Sequence, residues 1–253
     1  MKQILMCSLG MSLAVTLSSC SDKQASASKL YAELDLAAAP NTLTDKEKQA
    51  GWQLLFDGKT FSGWHGYNMR GIPDVWAIED GALTMSETGG HESQDIITND
   101  IYRKFALTVE YKLSKGSNSG IVFQVKEDPK YQFPYETGPE FQLTDHENFP
   151  GLTPQDWQIH GANYAMYPPK AAPYHPANEW NRLLLVVDGN YVTQLINGVE
   201  TVSYEKYSDD WTERRNAGKW ADFPDYGKFD EGYISLQNHG TKLWYRNVKI
   251  KQL

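Results

Sequence analysis

The sequence predicts an all-β fold, a sandwich or jelly roll of antiparallel sheets forming one domain. Three features carry that reading: apolar residues recur at every second position, turn signals separate short runs, and helical periodicity is scarce. Val75 to Glu79 and Ala82 to Met85 flank Asp80 and Gly81 and predict a strand pair. In the next strand Phe105, Leu107, Val109, Tyr111 and Leu113 face one way, and Ala106, Thr108, Glu110 and Lys112 the other. Gly116 to Gly120 reads as a turn, followed by a strand over Ile121 to Val125. Glu140 to Thr144 alternates again, with Glu140, Gln142 and Thr144 on a polar face and Phe141 and Leu143 on an apolar one. Trp180 to Val187 is closed by Asp188 and Gly189. Tyr191 to Ile196 and Val199 to Tyr204 are joined by Asn197-Gly198, the strongest short hairpin signal. Gly232 to Gln237 and Leu243 to Ile250 are the last two strands, joined through Asn238 to Thr241. Short helices are predicted near Thr44 to Ala50 and over Ser208 to Trp220. Gln155 to Tyr174, rich in proline and aromatics, reads as a long ordered loop of the kind that often carries function.

The start of the chain reads differently. Met1 and Lys2 precede an apolar run from Ile4 to Leu17, too short to span a bilayer and typical of an export signal. It ends in Leu17-Ser18-Ser19-Cys20, which resembles a bacterial lipobox, in which the cysteine becomes the lipidated first residue of the mature chain. Residues 1–20 are therefore expected to be a lipoprotein signal peptide, 21–50 a flexible tether and 51–253 the working domain. A lipid on Cys20 would hold the protein to a membrane in the cell envelope, on the periplasmic or outer-membrane face. The chain's two cysteines, Cys7 and Cys20, both fall in this segment. The domain then has no thiol chemistry, and its own core must hold it together.

A net charge of −8 without a run of Lys or Arg argues against a nucleic-acid partner. An aromatic share of 13% in an acidic, exported chain favours carbohydrate, because aromatic faces stack on sugar rings. No nucleophile elbow, phosphate loop or dinucleotide fingerprint is present, so no organic cofactor is inferred.

Several segments in fixed order resemble one family. Leu55 to Trp64 reads LFDGKTFSGW, Gly116 to Ile121 reads GSNSGI, and Glu140 to Leu143 reads EFQL. Glu179 to Arg182, Asn197-Gly198, Gly232 to Gly240 and Tyr245 to Ile250 follow. Together they resemble the 3-keto-disaccharide hydrolase family, over about Gly51 to Leu253. Its members are described as 3-keto-glucoside 1,2-lyases and 3-keto-2-hydroxyglucal hydratases. The resemblance implies a concanavalin A-like jelly roll, a 3-keto sugar as substrate and a separate sugar 3-dehydrogenase upstream to make it. A divalent cation such as calcium is compatible with related jelly rolls, but no ligands are placed. Where typical members carry Arg after the Asn-Ser-Gly turn, this chain has Gln124.

Such a reaction needs a base for the proton on sugar carbon 2, an electrophile near the ketone oxygen and an acid for the leaving oxygen. Glu140 is the expected base, because its strand offers a polar face to a ligand. His239, in the turn between the last two strands, is expected to relay a proton or polarise the ketone. His160, in the long loop, and Arg246, in the final strand, are further catalytic candidates; Arg246 could hold the enolate oxygen or brace the sheet through Glu140. Gln124, Gln142 and Gln237 are expected to contact sugar hydroxyls, and Trp157 and Tyr164 to stack on a ring. Asp145, His146 and Glu147 form an acidic cluster better read as a solvated loop than as a metal site. Two rival functions remain open. A laminarinase-like retaining glycosidase needs two carboxylates about 5 Å apart, yet Gln142 stands where the second acid of that strand would be. A non-catalytic carbohydrate-binding module needs the aromatics and amides but no base.

Overall fold

In a computed structural model of the chain, residues 25–87, 94–148 and 155–253 are described. The expected signal peptide, with Cys7 and the Cys20 lipidation site, lies outside them. The body is all-β, and every strand pairing is antiparallel. The strands are β1 (Gln53–Leu54), β2 (Trp64–Gly66), β3 (Trp76–Glu79), β4 (Ala82–Met85), β5 (Ile96–Thr98), β6 (Phe105–Leu113), β7 (Asn118–Val125) and β8 (Glu140–Thr144). They continue as β9 (Trp180–Asp188), β10 (Tyr191–Ile196), β11 (Val199–Glu205), β12 (Tyr233–Leu236) and β13 (Leu243–Gln252). One sheet runs β11-β10-β9-β6-β13-β4-β3, with β1 also paired to β13; the other runs β2-β5-β12-β7-β8.

Alternation in the sequence becomes the sandwich core. From the large sheet Phe105, Leu107, Val109, Tyr111, Leu183, Leu185 and Ile250 turn inward. They meet Ile121, Phe123, Phe141, Leu143, Ile234 and Leu236 of the small sheet. Each such side chain contributes roughly 1.5–3 kcal/mol on burial. The Asn197-Gly198 turn has positive φ at both residues, 49° and 82°, as a tight hairpin requires. Helix Asp209–Ala217 and the 3-10 turn Lys219–Asp222 fill the predicted helical stretch.

The N-terminal expectation needs correction. Residues 25–50 are not a free tether. Residues 25–33 are helical (α1), and Ala27, Leu30 and Leu34 repeat at helical spacing. They pack with Trp52 on Ala106, Leu184, Val186 and Leu195, on the outer face of the large sheet. Helix α2 (Asp45–Gln49) follows, capped by Thr44. Its Glu47 pairs with Lys249 of β13 at 2.7 Å, and both side chains are fully buried. The apolar outer face of the large sheet needs a cover, and this segment supplies it.

Candidate active site

The outer face of the small sheet holds a cavity. In β8, Phe141 and Leu143 enter the core, so Glu140 and Gln142 point outward, as the period of two requires. They are nevertheless buried, because the loop after residue 155 docks along the free edge of β8. Gln142 N–H donates to the Ala162 carbonyl, Gly161 N–H to the Gln142 carbonyl and Tyr164 N–H to the Glu140 carbonyl, at 3.0, 2.9 and 3.0 Å. The otherwise unpaired edge of β8 is thereby closed. The cavity encloses about 270 Å³, near the small end for ligand sites. Glu140, Gln142, Asn118, Gln237, Asn238, His239 and Asp95 line its floor and side. Phe133, Tyr135, Tyr164 and Lys219 line the rest.

Glu140 reaches across the neighbouring strand. A Cβ added to Gly120 would stand 2.5 Å from Glu140 Oε1, so the carboxyl lies directly over that glycine. Burial pushes the Glu140 carboxyl well above the ordinary range; the Lys219 ammonium draws it back, Asp95 pushes further and the Gln237 amide opposes. Asp95, which accepts the Asn238 N–H at 2.7 Å, is pushed up to about 7 by its own burial, against that hydrogen bond. Both carboxyls are thus poised to hold or release a proton near neutrality. Lys219 is exposed as a residue, but its ammonium end turns inward over the rings of Tyr135, Tyr164 and Trp220, 4.6, 4.8 and 4.7 Å from their centroids. Desolvation of that end lowers its pKa, and Glu140 opposes the drop. Among the described residues, Asn118 Oδ1, Gln142 Oε1 and Gln237 Oε1 are buried without a hydrogen-bond partner. Three acceptors in one small cavity suit a ligand rich in hydroxyl donors.

A family model described as the 3-keto-alpha-glucoside-1,2-lyase-like domain matches residues 51–251. The chain belongs to this family. A 3-keto-disaccharide hydrolase of Bacteroides thetaiotaomicron is 31% identical over 228 residues, covering 80% of this chain and 79% of that one. A crystal structure of a glycosyl-hydrolase candidate from Parabacteroides distasonis ATCC 8503 superposes with a TM-score of 0.80 at 40% identity, over 85% of this chain and 100% of that one. A second such candidate from the same organism shares the fold, with a TM-score of 0.60 at 24% identity over 80% of this chain and 99% of that one. Membership makes this a domain of glycosidase type.

In this lyase-like domain Glu140, Gln142, Gln237, His239 and Tyr164 come together around one cavity. Four other candidates do not join them. Arg246 lies on the opposite sheet, where its Nε donates to Glu110 Oε2 at 2.7 Å and its guanidinium stacks 3.8 Å from the Trp180 ring. It does brace the sheet, but through Glu110, which Arg182 also pairs, and not through Glu140. His160 is a core histidine: Nε2 is 2.6 Å from the Tyr111 hydroxyl, and Nδ1 is 3.0 Å from the Thr144 carbonyl. Burial lowers its pKa to about 4, so it stays neutral. Gln124 is buried beside Lys206, whose ammonium donates to its Oε1 at 2.8 Å, and it does not line this cavity. Trp157 stands behind Tyr164, edge to face at 5.8 Å, and supports that wall from outside. Tyr167 and Tyr174 pack on Tyr204 and His160.

The lining residues not foreseen are Lys219, Asp95, Asn118, Asn238, Phe133 and Tyr135. Asn118 sits in the Gly116 to Gly120 segment, whose second half is strand rather than turn. Lys219 and Asp95 carry no local pattern at all. Asp145 accepts the Gly116 N–H at 2.8 Å and ties a turn. No group of three or more His, Cys, Asp or Glu placed to hold a metal occurs among the described residues.

Proposed function

We propose that the chain cleaves 3-keto-glucosides by elimination across sugar carbons 1 and 2, and hydrates the resulting 3-keto-2-hydroxyglucal, for a net hydrolysis. The observation that carries this reading is Glu140. Its buried carboxyl has a raised pKa and lies over Gly120 in a cavity whose wall offers free amide oxygens. A ketone at carbon 3 makes the hydrogen on carbon 2 acidic, and Glu140 removes it. Asn118, Gln142 and Gln237 accept from the sugar hydroxyls and hold the ring. Tyr164 offers a ring face, and His239 carries a proton to the leaving oxygen. The name of the B. thetaiotaomicron relative supports the same substrate class. A laminarinase-like retaining glycosidase is less well supported, because its second acid would stand on the same strand two residues beyond Glu140, where this chain has an amide, Gln142.

The keto sugar must come from a sugar 3-dehydrogenase acting earlier. A lipid on Cys20 is part of the same proposal and would tether the domain in the cell envelope. Replacing Cys20 by Ala is expected to move the protein from the membrane to the soluble fraction; continued membrane recovery would refute anchoring at that residue. The catalytic reading is tested by offering a 3-keto aryl glucoside beside its unoxidised parent. Cleavage of the keto form alone, with a transient enone in the ultraviolet, is expected. Cleavage of the parent would assign a glycosidase instead, and sugar binding without any cleavage would assign a binding module.

A further inference from the structure

Resting on the keto-glycoside reading, we propose that Lys219 is a catalytic residue whose ammonium holds the ketone oxygen at sugar carbon 3 and carries the charge of the enolate. Among the described residues it is the one lysine or arginine lining the cavity. The 3-10 turn that carries it follows helix Asp209–Ala217, and Trp220 stacks on Tyr226 at 4.0 Å beneath it. The rings of Tyr135, Tyr164 and Trp220 surround the ammonium without giving it a full hydrogen-bonding partner of opposite charge. No ion pair within 4.0 Å ties it to Glu140, although the two groups sense each other's charge. A cation held by ring faces alone keeps its N–H donors available for a ligand oxygen.

The chemistry explains why a cation belongs there. Glu140 takes the proton from carbon 2, and the C–H electron pair becomes the second, π bond between carbons 2 and 3. The carbonyl pair moves onto oxygen and forms the enolate. When the enolate collapses, the ketone re-forms and a double bond appears between carbons 1 and 2. The pair of the C1–O bond leaves with the glycosidic oxygen, and the proton taken by Glu140 returns to that oxygen through His239. Negative charge thus passes from the carboxylate to the ketone oxygen within one cavity of about 270 Å³. A fixed ammonium at the wall stays beside a negative charge throughout, and its effect is strengthened where water is excluded.

The test separates enolate formation from departure of the leaving group. The 3-keto form of 1,5-anhydroglucitol carries no aglycone on carbon 1, only hydrogen and the ring oxygen, so exchange of its carbon-2 hydrogen in D2O, followed by NMR, reads enolisation without glycosidic cleavage. Wild type is expected to exchange it faster than buffer. Lys219→Met should lower that exchange on the order of 10²-fold, with the dissociation constant of the keto sugar changed only a few-fold, and Lys219→Arg should restore part of the loss. Lys219 is exposed as a residue, and among the described residues its side chain makes no backbone-fixing hydrogen bond, so both variants should match the wild-type far-ultraviolet circular dichroism and melt cooperatively; Lys219→Gln serves as a second charge-free variant. Exchange at the wild-type rate in Lys219→Met or Lys219→Gln overturns the proposal. A loss seen only as weaker binding also overturns it, making Lys219 a binding residue. Wild type that neither exchanges the hydrogen nor cleaves a 3-keto-glucoside would overturn the keto-glycoside reading itself, a different result from an active wild type with active Lys219 variants.

Discussion

Gly120 and Glu140 set the site at the scale of single residues. The carboxyl passes over the glycine so closely that a methyl group would occupy its path. Gly120→Ala is expected to push the carboxyl aside by about 1 Å and lower kcat by up to about 10²-fold, with little change in the melting temperature. Unchanged kcat in a folded Gly120→Ala protein would show that the carboxyl's position is not critical. Protonation adds a second prediction. Glu140 acts as a base only when ionised, and burial raises its pKa, so kcat should rise with pH through a limb above the usual carboxylate range. Because Lys219 draws that pKa down, Lys219→Met should shift the limb to higher pH in a pH-rate profile. Glu140 and Gln142 could be read from the sequence because alternation alone assigns their face. Lys219 and Asp95 could not, since each reaches the cavity through packing of elements distant in sequence. Arg246 misled for the same reason: its strand is legible, but which sheet that strand joins is not.

Among the elements, the N-terminal segment was the least legible. Its apolar stripe is three residues wide, and it becomes informative only once the outer face of the large sheet is seen to need a cover. The buried Glu47–Lys249 pair fastens it. Lys249→Met leaves Glu47 without its partner and is expected to cost about 3–5 kcal/mol in denaturant unfolding, while a double change to Leu and Met should recover most of that. A single variant as stable as wild type would mean that the pair does not hold the segment. By contrast, β6 and the β10–β11 hairpin were legible almost to the residue, because a strict period of two and an Asn-Gly turn leave few alternatives. The loop after residue 155 was legible as ordered, yet its docking on β8 was not, since backbone pairing to an edge leaves no pattern in side chains.

Across the whole molecule, the two outer faces divide the work. The large sheet's face is closed by the N-terminal helices and the Glu110, Arg182 and Arg246 cluster, and the small sheet's face holds the cavity. The two faces also titrate in opposite directions. For Glu47, burial raises the pKa but the Lys249 and backbone hydrogen bonds outweigh it, so the net shift is downward. Its stabilising contribution is present above its unfolded pKa and is lost as pH falls through its lower folded value. Asp95 is raised to about 7. Its contribution is complete below the ordinary carboxylate pKa and is lost as pH rises to about 7. Stability should therefore fall on the order of a few kcal/mol as pH climbs through that window, and Asp95→Asn should flatten the fall in urea titrations. An equally steep fall in the variant would remove Asp95 as its cause. The function rests on one comparison above the others: turnover of a 3-keto aryl glucoside by wild type and by Glu140→Gln. A loss of at least about 10²-fold in kcat, with the keto sugar still bound, is the predicted result; turnover near the wild-type rate in Glu140→Gln would contradict the assignment of Glu140 as the base.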